Sequence, residues 1–175
     1  MFSLYVDADS LPRQHREIVL RRIMKDHIES FFVADRILPD VMDAIQVDTK
    51  SLRDPYRGIM ERDELRKIKS NIHMIVVESG ANSADDHIVD IIKTPALAIT
   101  HDIPLAYRLL EKGACVIDDR GRQFTCDNIK HLLSLRELNN SFREAGISFD
   151  KSARFDSKTL NMFANCFDSI IAKLV

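Results

Sequence analysis

Five short apolar runs, each bounded by turn-forming or helix-starting residues, constrain this chain more than anything else in it. They are residues 2–6 (FSLYV), 30–34 (SFFVA), 72–77 (IHMIVV), 96–100 (ALAIT) and 114–117 (ACVI). Each is too short for a buried helix and rich in branched or aromatic side chains, so each reads as a strand. Between them lie stretches with helical periodicity. Ile18, Leu20, Ile23, Met24 and Ile28 form one amphipathic face, and Ile88, Ile91 and Ile92 form another within 84–93. Strands that are apolar throughout and alternate with helices indicate a parallel sheet covered on both faces. The expected class is therefore α/β, with a mainly parallel sheet of about five strands and helices on both sides.

Helix boundaries follow from capping chemistry. Ser10 is suited to cap the first helix, with Pro12 in its first turn, where a missing N–H costs nothing. Asp102 is suited to cap another, with Pro104 in the first turn and Gly113 at the end. Two helices close the chain, over 128–145 and after a Ser157 cap. Ile129, Leu132, Leu133, Leu138 and Phe142 on the first, and Leu160, Phe163, Phe167, Ile170, Ile171 and Leu174 on the second, are expected to face the core. Residues 118–124 read as a turn or short hairpin around Gly121. The charged stretch 40–71 reads as an insertion or flap, with a surface helix over 61–69. It is too short and too poor in apolar residues to fold alone. Residues 1–175 are thus read as a single domain, within the usual range of roughly 100–200 residues.

Acids and bases nearly cancel, to a net charge of −2, with charged residues at 30% and apolar ones at 45%. A dedicated duplex-DNA binder would carry a clear basic excess. The balance still admits a nucleic acid held locally by metal ions and a few arginines. The start, MFSLYVDAD, lacks the basic and long apolar regions of a signal peptide, and no apolar run reaches the roughly 20 residues of a membrane span. Cys115, Cys126 and Cys166 are odd in number and form no CxxC pair, which suits a reducing compartment, with Cys115 and Cys166 acting as small apolar residues. A cytoplasmic protein with no membrane association is expected.

The acids follow the strands. Asp7-Ala8-Asp9 ends the first, Asn82, Asp85 and Asp86 follow the third, Thr100-His101-Asp102 ends the fourth, and Asp118-Asp119 the fifth. Sites in open parallel sheets form beyond the carboxyl ends of the strands. Taken singly, each aspartate reads as a cap or a turn residue. Taken together at one edge, they read as a site. Converging carboxylates repel unless a cation neutralises them. Oxygen ligands without sulfur or paired histidines select Mg²⁺ or Mn²⁺. Such a metal suits phosphodiester hydrolysis. The expected catalytic and metal-binding residues are Asp7, Asp85 and Asp102, with Asp9 and Asn82 as outer ligands or water-orienting groups. The expected partner is single-stranded RNA. The alternatives are a non-catalytic protein binding metal, nucleotide or protein, and a small-molecule phosphatase.

Other residues carry weaker signals. His101 is more simply a side chain turned away from the site, although it is placed to handle a proton or a phosphate. Arg13, Arg16, Arg108, Arg120 and Arg122 fall near the site end but read first as solvated surface. No HxxxH, GxSxG or GxxxxGK[ST] pattern is present. The phenylalanines read as core and not as base-stacking platforms.

The segments VDADSLP (6–12), GANSADDHIV (80–89) and THDIPLA (100–106) resemble the three signature segments of the uncharacterised bacterial YaiI/YqxD family, which typically read VDADACP, GxDxADxxI and TxDIPLA. The turn at 119–122 and the segment LRELNNSFREAG (135–146) also resemble it, and the likeness covers most of the chain outside 40–71. It implies a three-layer PIN-like nuclease fold with an acidic Mg²⁺ or Mn²⁺ site, in which Asp7, Asp9, Asp85 and Asp102 match the acids of the motifs. Asn82 stands where the family usually has Asp, and Leu11 where it usually has Cys. The first removes a charge but keeps an oxygen ligand; the second argues against thiol chemistry.

Overall fold

The computed structural model describes residues 2–78, 80, 83–146 and 156–174. Six strands form one sheet: β1 (Ser3–Asp7), β2 (Ser30–Ala34), β3 (Ile72–Val76), β4 (Ala96–Ile99), β5 (Cys115–Ile117) and β6 (Gln123–Phe124). Their order is β3-β2-β1-β4-β5-β6. The first five run parallel, at the positions where the apolar runs lie, and the two-residue β6 returns antiparallel to β5 through the turn at Gly121. The helices are α1 (Arg13–Asp26), α2 (Pro39–Arg53), α3 (Arg62–Lys67), α4 (Ser83–Ile91), α5 (Ile103–Glu111), α6 (Cys126–Glu144) and α7 (Ser157–Leu174).

The alternation of side chains along each strand divides the core in two. Leu4, Val6, Phe32, Ala34, Leu97, Ile99 and Ile117 pack with α1, α2 and α7 on one face. Tyr5, Val33, Ala98 and Val116 pack with α4, α5 and α6 on the other. Phe163 and Phe167 of α7 stack at 5.9 Å and are fully buried; each contributes about 1.5–3 kcal/mol by leaving water. The result is a three-layer α/β fold.

The winding positions the site. From β1 the chain moves outward through α1, β2 and α2 to β3 at the sheet edge. Then α4 carries it back across β1 and β2, over the other face, to β4. So β1 and β4 are neighbours whose connections depart to opposite faces. A crevice opens beyond the carboxyl ends of such a pair.

Several local expectations change. Ser10 does not cap α1: its hydroxyl donates to the Asp7 carbonyl at 3.0 Å, and Pro12 takes the cap position without a side-chain bond. Ser157 is the first residue of α7, and Asp156 caps it by accepting from the Thr159 amide at 2.8 Å. Residues 39–53 are not a flap but the crossover helix α2, whose Val41 and Ala44 enter the core. The charged surface helix expected over 61–69 is α3, which buries nothing. Leu138 and Phe142 are exposed, although their spacing suggested core. Phe155 lies outside the described residues.

Candidate functional site

The site is built from the ends of β1 and β4 and the first turns of α4 and α5. Asp7 is the last residue of β1 and only 6% exposed. Burying a carboxylate is costly unless donors meet it. The donor is the fully buried Thr100, whose hydroxyl bonds Asp7 Oδ2 at 2.8 Å. The same Thr100 Oγ1 accepts from the Asp102 amide at 3.0 Å. One hydroxyl therefore ties the two strand-end acids together.

Asp102 caps α5, as its sequence context suggests. Its Oδ1 accepts from the Leu105 amide at 2.9 Å. Its Oδ2 pairs with Arg136 Nη1 of α6 at 3.1 Å. Both oxygens are thus engaged by protein.

Asp85 lies in the first turn of α4, half-buried, where the helix N-terminus faces the strand ends. Its carboxyl is pushed up to about 6. Burial is the largest cause, followed by the charges of Asp7 and then Asp102; Arg108, which is ion-paired to Asp86 at 2.8 Å, opposes them. Asp85 therefore lies close enough to Asp7 and Asp102 for their charges to act on its carboxyl.

Asp9 is not part of this group. Its Oδ2 accepts from the Asp35 amide at 2.6 Å, and its Oδ1 lies 3.2 Å from Arg36. It braces the loop after β2. Asn82 lies outside the described residues. Among the described residues, no three His, Cys, Asp or Glu side chains stand in an arrangement that would hold a metal ion by themselves. The donor set still fits a hydrated hard cation. Mg²⁺ keeps several waters and needs only one or two carboxylates, and Asp7 and Asp85 offer two in a place where negative charge already accumulates.

The remaining candidates divide. Arg16 is not available to a substrate: it pairs with Asp40 of α2 at 2.8 Å and donates to the Leu11 carbonyl at 2.6 Å, locking the loop after β1. Arg13 pairs with Glu17 on the surface. Asp118 organises the β5–β6 turn, accepting from the amides of Arg120 and Arg122 at 3.0 and 2.7 Å. His101 is exposed and lines a cavity of about 360 Å³ with Ser10, Asp119, Arg120 and Arg122. Buried Asp119 has its carboxyl pushed up by desolvation, with His101 acting to lower it. Arg136 was missed by sequence reasoning, because nothing local links it to an acid 34 residues away.

Residues 57–173 match the family model described as "Uncharacterized BCR, YaiI/YqxD family". A UPF0178 protein from Sulfurimonas denitrificans is 32% identical over 170 residues, covering 97% of this chain and 95% of its own. A UPF0178 protein from Acinetobacter baylyi is 34% identical over 175 residues, covering 98% and 94%. One from Desulfotalea psychrophila is 32% identical over 171 residues, covering 98% of each. No solved structure matches. No helix among the described residues is long and apolar enough to cross a membrane.

Proposed function

Because the chain belongs to the YaiI/YqxD family, whose description carries no activity, we propose from the site alone that it is a divalent-metal-dependent phosphodiesterase acting on single-stranded RNA. The observation that carries this is the convergence of Asp7, Asp85 and Asp102 at the crevice between β1 and β4. Three acids gathered where an open sheet places its ligands are costly to the fold and useful to a cation. The three-layer architecture and the three motif segments support a PIN-like kinship.

When bound, Mg²⁺ or Mn²⁺ supplies charge stabilisation on the phosphodiester and a more acidic bound water. The chain's own groups have distinct parts. Asp7, fixed by Thr100, and Asp85 would hold the cation. Asp102 acts from one layer out, through the α5 cap and Arg136. Asp85 also exchanges a proton near neutral pH when the site is empty of cations.

Incubation with end-labelled single-stranded RNA, with and without Mn²⁺ or Mg²⁺, tests the reading. Cleavage that needs the metal and disappears in Asp7→Asn supports it. Full cleavage by Asp7→Asn places the chemistry elsewhere.

The full engagement of Asp102 favours a second reading, a non-catalytic protein that binds a metal, a nucleotide or a protein partner. Calorimetric Mn²⁺ binding without hydrolysis of RNA, DNA or small phosphoesters selects it.

A further inference from the structure

A cavity of about 600 Å³ opens beside Asp102, between the start of α5 and one face of α6. That volume lies within the range of ligand pockets. Its α6 wall is made by Leu132, Leu135, Arg136, Asn139, Asn140 and Arg143. These positions follow the i, i+3, i+4, i+7, i+8, i+11 spacing of a single helical stripe. At 1.5 Å per residue the stripe runs about 16 Å. Arg136, about one turn in from the Leu132 end, pairs with Asp102, and from there the stripe leads away to Arg143.

The stripe is graded. Near the site, Leu132 and Leu135 line the cavity together with Ile103, giving it an aliphatic part. Farther out come two amides and Arg143, which makes no ion pair among the described residues. The α6 stripe itself carries no carboxylate. Glu137 and Glu144 follow Arg136 and Arg143 directly in sequence, so each is turned about 100° from the stripe.

We propose that this α6 stripe is a binding track for single-stranded nucleic acid, leading the strand from Arg143 past Arg136 to the carboxylates. The proposal rests on the phosphodiesterase reading of the neighbouring acids. Guanidinium groups neutralise phosphates, aliphatic side chains accept base faces, and the amides meet base edges. At about 3.4 Å per stacked nucleotide, a track of this length holds a few residues. A polyanion approaching a cluster of aspartates also needs positive charge at the seam, which is where Arg136 stands. The exposure of the outer half of α6 fits this use: Asn139, Asn140 and Arg143 are exposed side chains on a continuous helix.

The test is fluorescence anisotropy of a labelled single-stranded RNA oligomer with the full chain in EDTA, so that binding is read without turnover. Wild-type protein is expected to bind. Arg143→Glu is expected to weaken binding by about tenfold or more and to reduce the slope of log affinity against log salt by about one. Lys130→Glu makes the same charge change on the opposite face of α6 and should stay within about twofold. Circular dichroism checks that both variants fold; if Arg143→Glu does not, the Asn139→Ala/Asn140→Ala pair is expected to weaken binding severalfold. No RNA binding by wild type, equal losses in Arg143→Glu and Lys130→Glu, or equal binding of a polyglutamate peptide overturns the track. Binding that obeys this pattern without any cleavage overturns the nuclease reading alone. Cleavage with Arg143 irrelevant to binding overturns the track alone.

Discussion

Thr100 donates its hydroxyl to Asp7 Oδ2 at 2.8 Å, joining the ends of β4 and β1 at the point where the sheet's winding reverses. Both residues are buried, so the bond is an internal support for the acid and not a surface contact. Replacing Thr100 by Val keeps the shape and removes the donor. A loss of about 1–3 kcal/mol in urea denaturation is expected, the cost of leaving a buried acceptor unsatisfied. Thr100→Ser should restore most of it. In an Asp7→Asn background the penalty of Thr100→Val should shrink, since the orphaned group is then uncharged.

Asp85 should destabilise the metal-free protein at neutral pH. The folded protein holds its proton up to about pH 6, whereas the ordinary value is 3.8. The folded state therefore binds more protons between those values, and stability falls as pH rises through that window. Asp85→Asn in EDTA should be more stable than wild type at pH 7, on the order of 1 kcal/mol after allowance for partial exposure, or a few degrees in Tm. At pH 3.5 the difference should vanish. Denaturation curves at the two pH values check this.

Much of this arrangement is legible in the sequence. Continuously apolar strands require cover on both faces, so the parallel sheet, and with it the common edge for Asp7, Asp85 and Asp102, follows from pattern alone. The rest depends on contacts between distant residues. Helix α2 is hard to read from sequence because its buried face includes Asp48, an acid whose Oδ2 accepts from the Ser70 hydroxyl at 2.6 Å, 22 residues on. Asp9 looked equivalent to Asp7 in sequence, yet the loop after β2 presents the Asp35 amide to it and turns it to a bracing role. The capping box that starts α6 is local, built from Thr125 and Asn128 three residues on, and is legible in the sequence.

Asp102 has two separable duties. Asp102→Ala removes the α5 cap and the Arg136 partner together, and should cost about 1 kcal/mol. Asp102→Asn retains a cap-competent oxygen and should leave thermal stability nearly unchanged. If the charge of Asp102 matters to the chemistry, both variants lose metal-dependent RNA cleavage. Measuring Tm and cleavage side by side separates the duties.

The β5–β6 turn is pinned to α7 through Gly121. Its φ is +78°, and a Cβ there would sit 2.5 Å from the Met162 carbonyl oxygen. Gly121→Ala should therefore destabilise by more than about 1 kcal/mol, from backbone strain and from displacement of α7. Hydrogen exchange should report faster opening in α7, with little change in α4.

Asp7 and Asp85, with Asp102 behind them, are the residues we assign to a hard divalent cation. Calorimetric titration of the metal-free protein with Mn²⁺ tests that assignment most directly. One binding event is expected in wild type, weakened at least about tenfold by Asp7→Asn and by Asp85→Asn, and unaffected by Asp9→Asn. Absence of Mn²⁺ binding in wild type, or binding that survives both Asp7→Asn and Asp85→Asn, contradicts it.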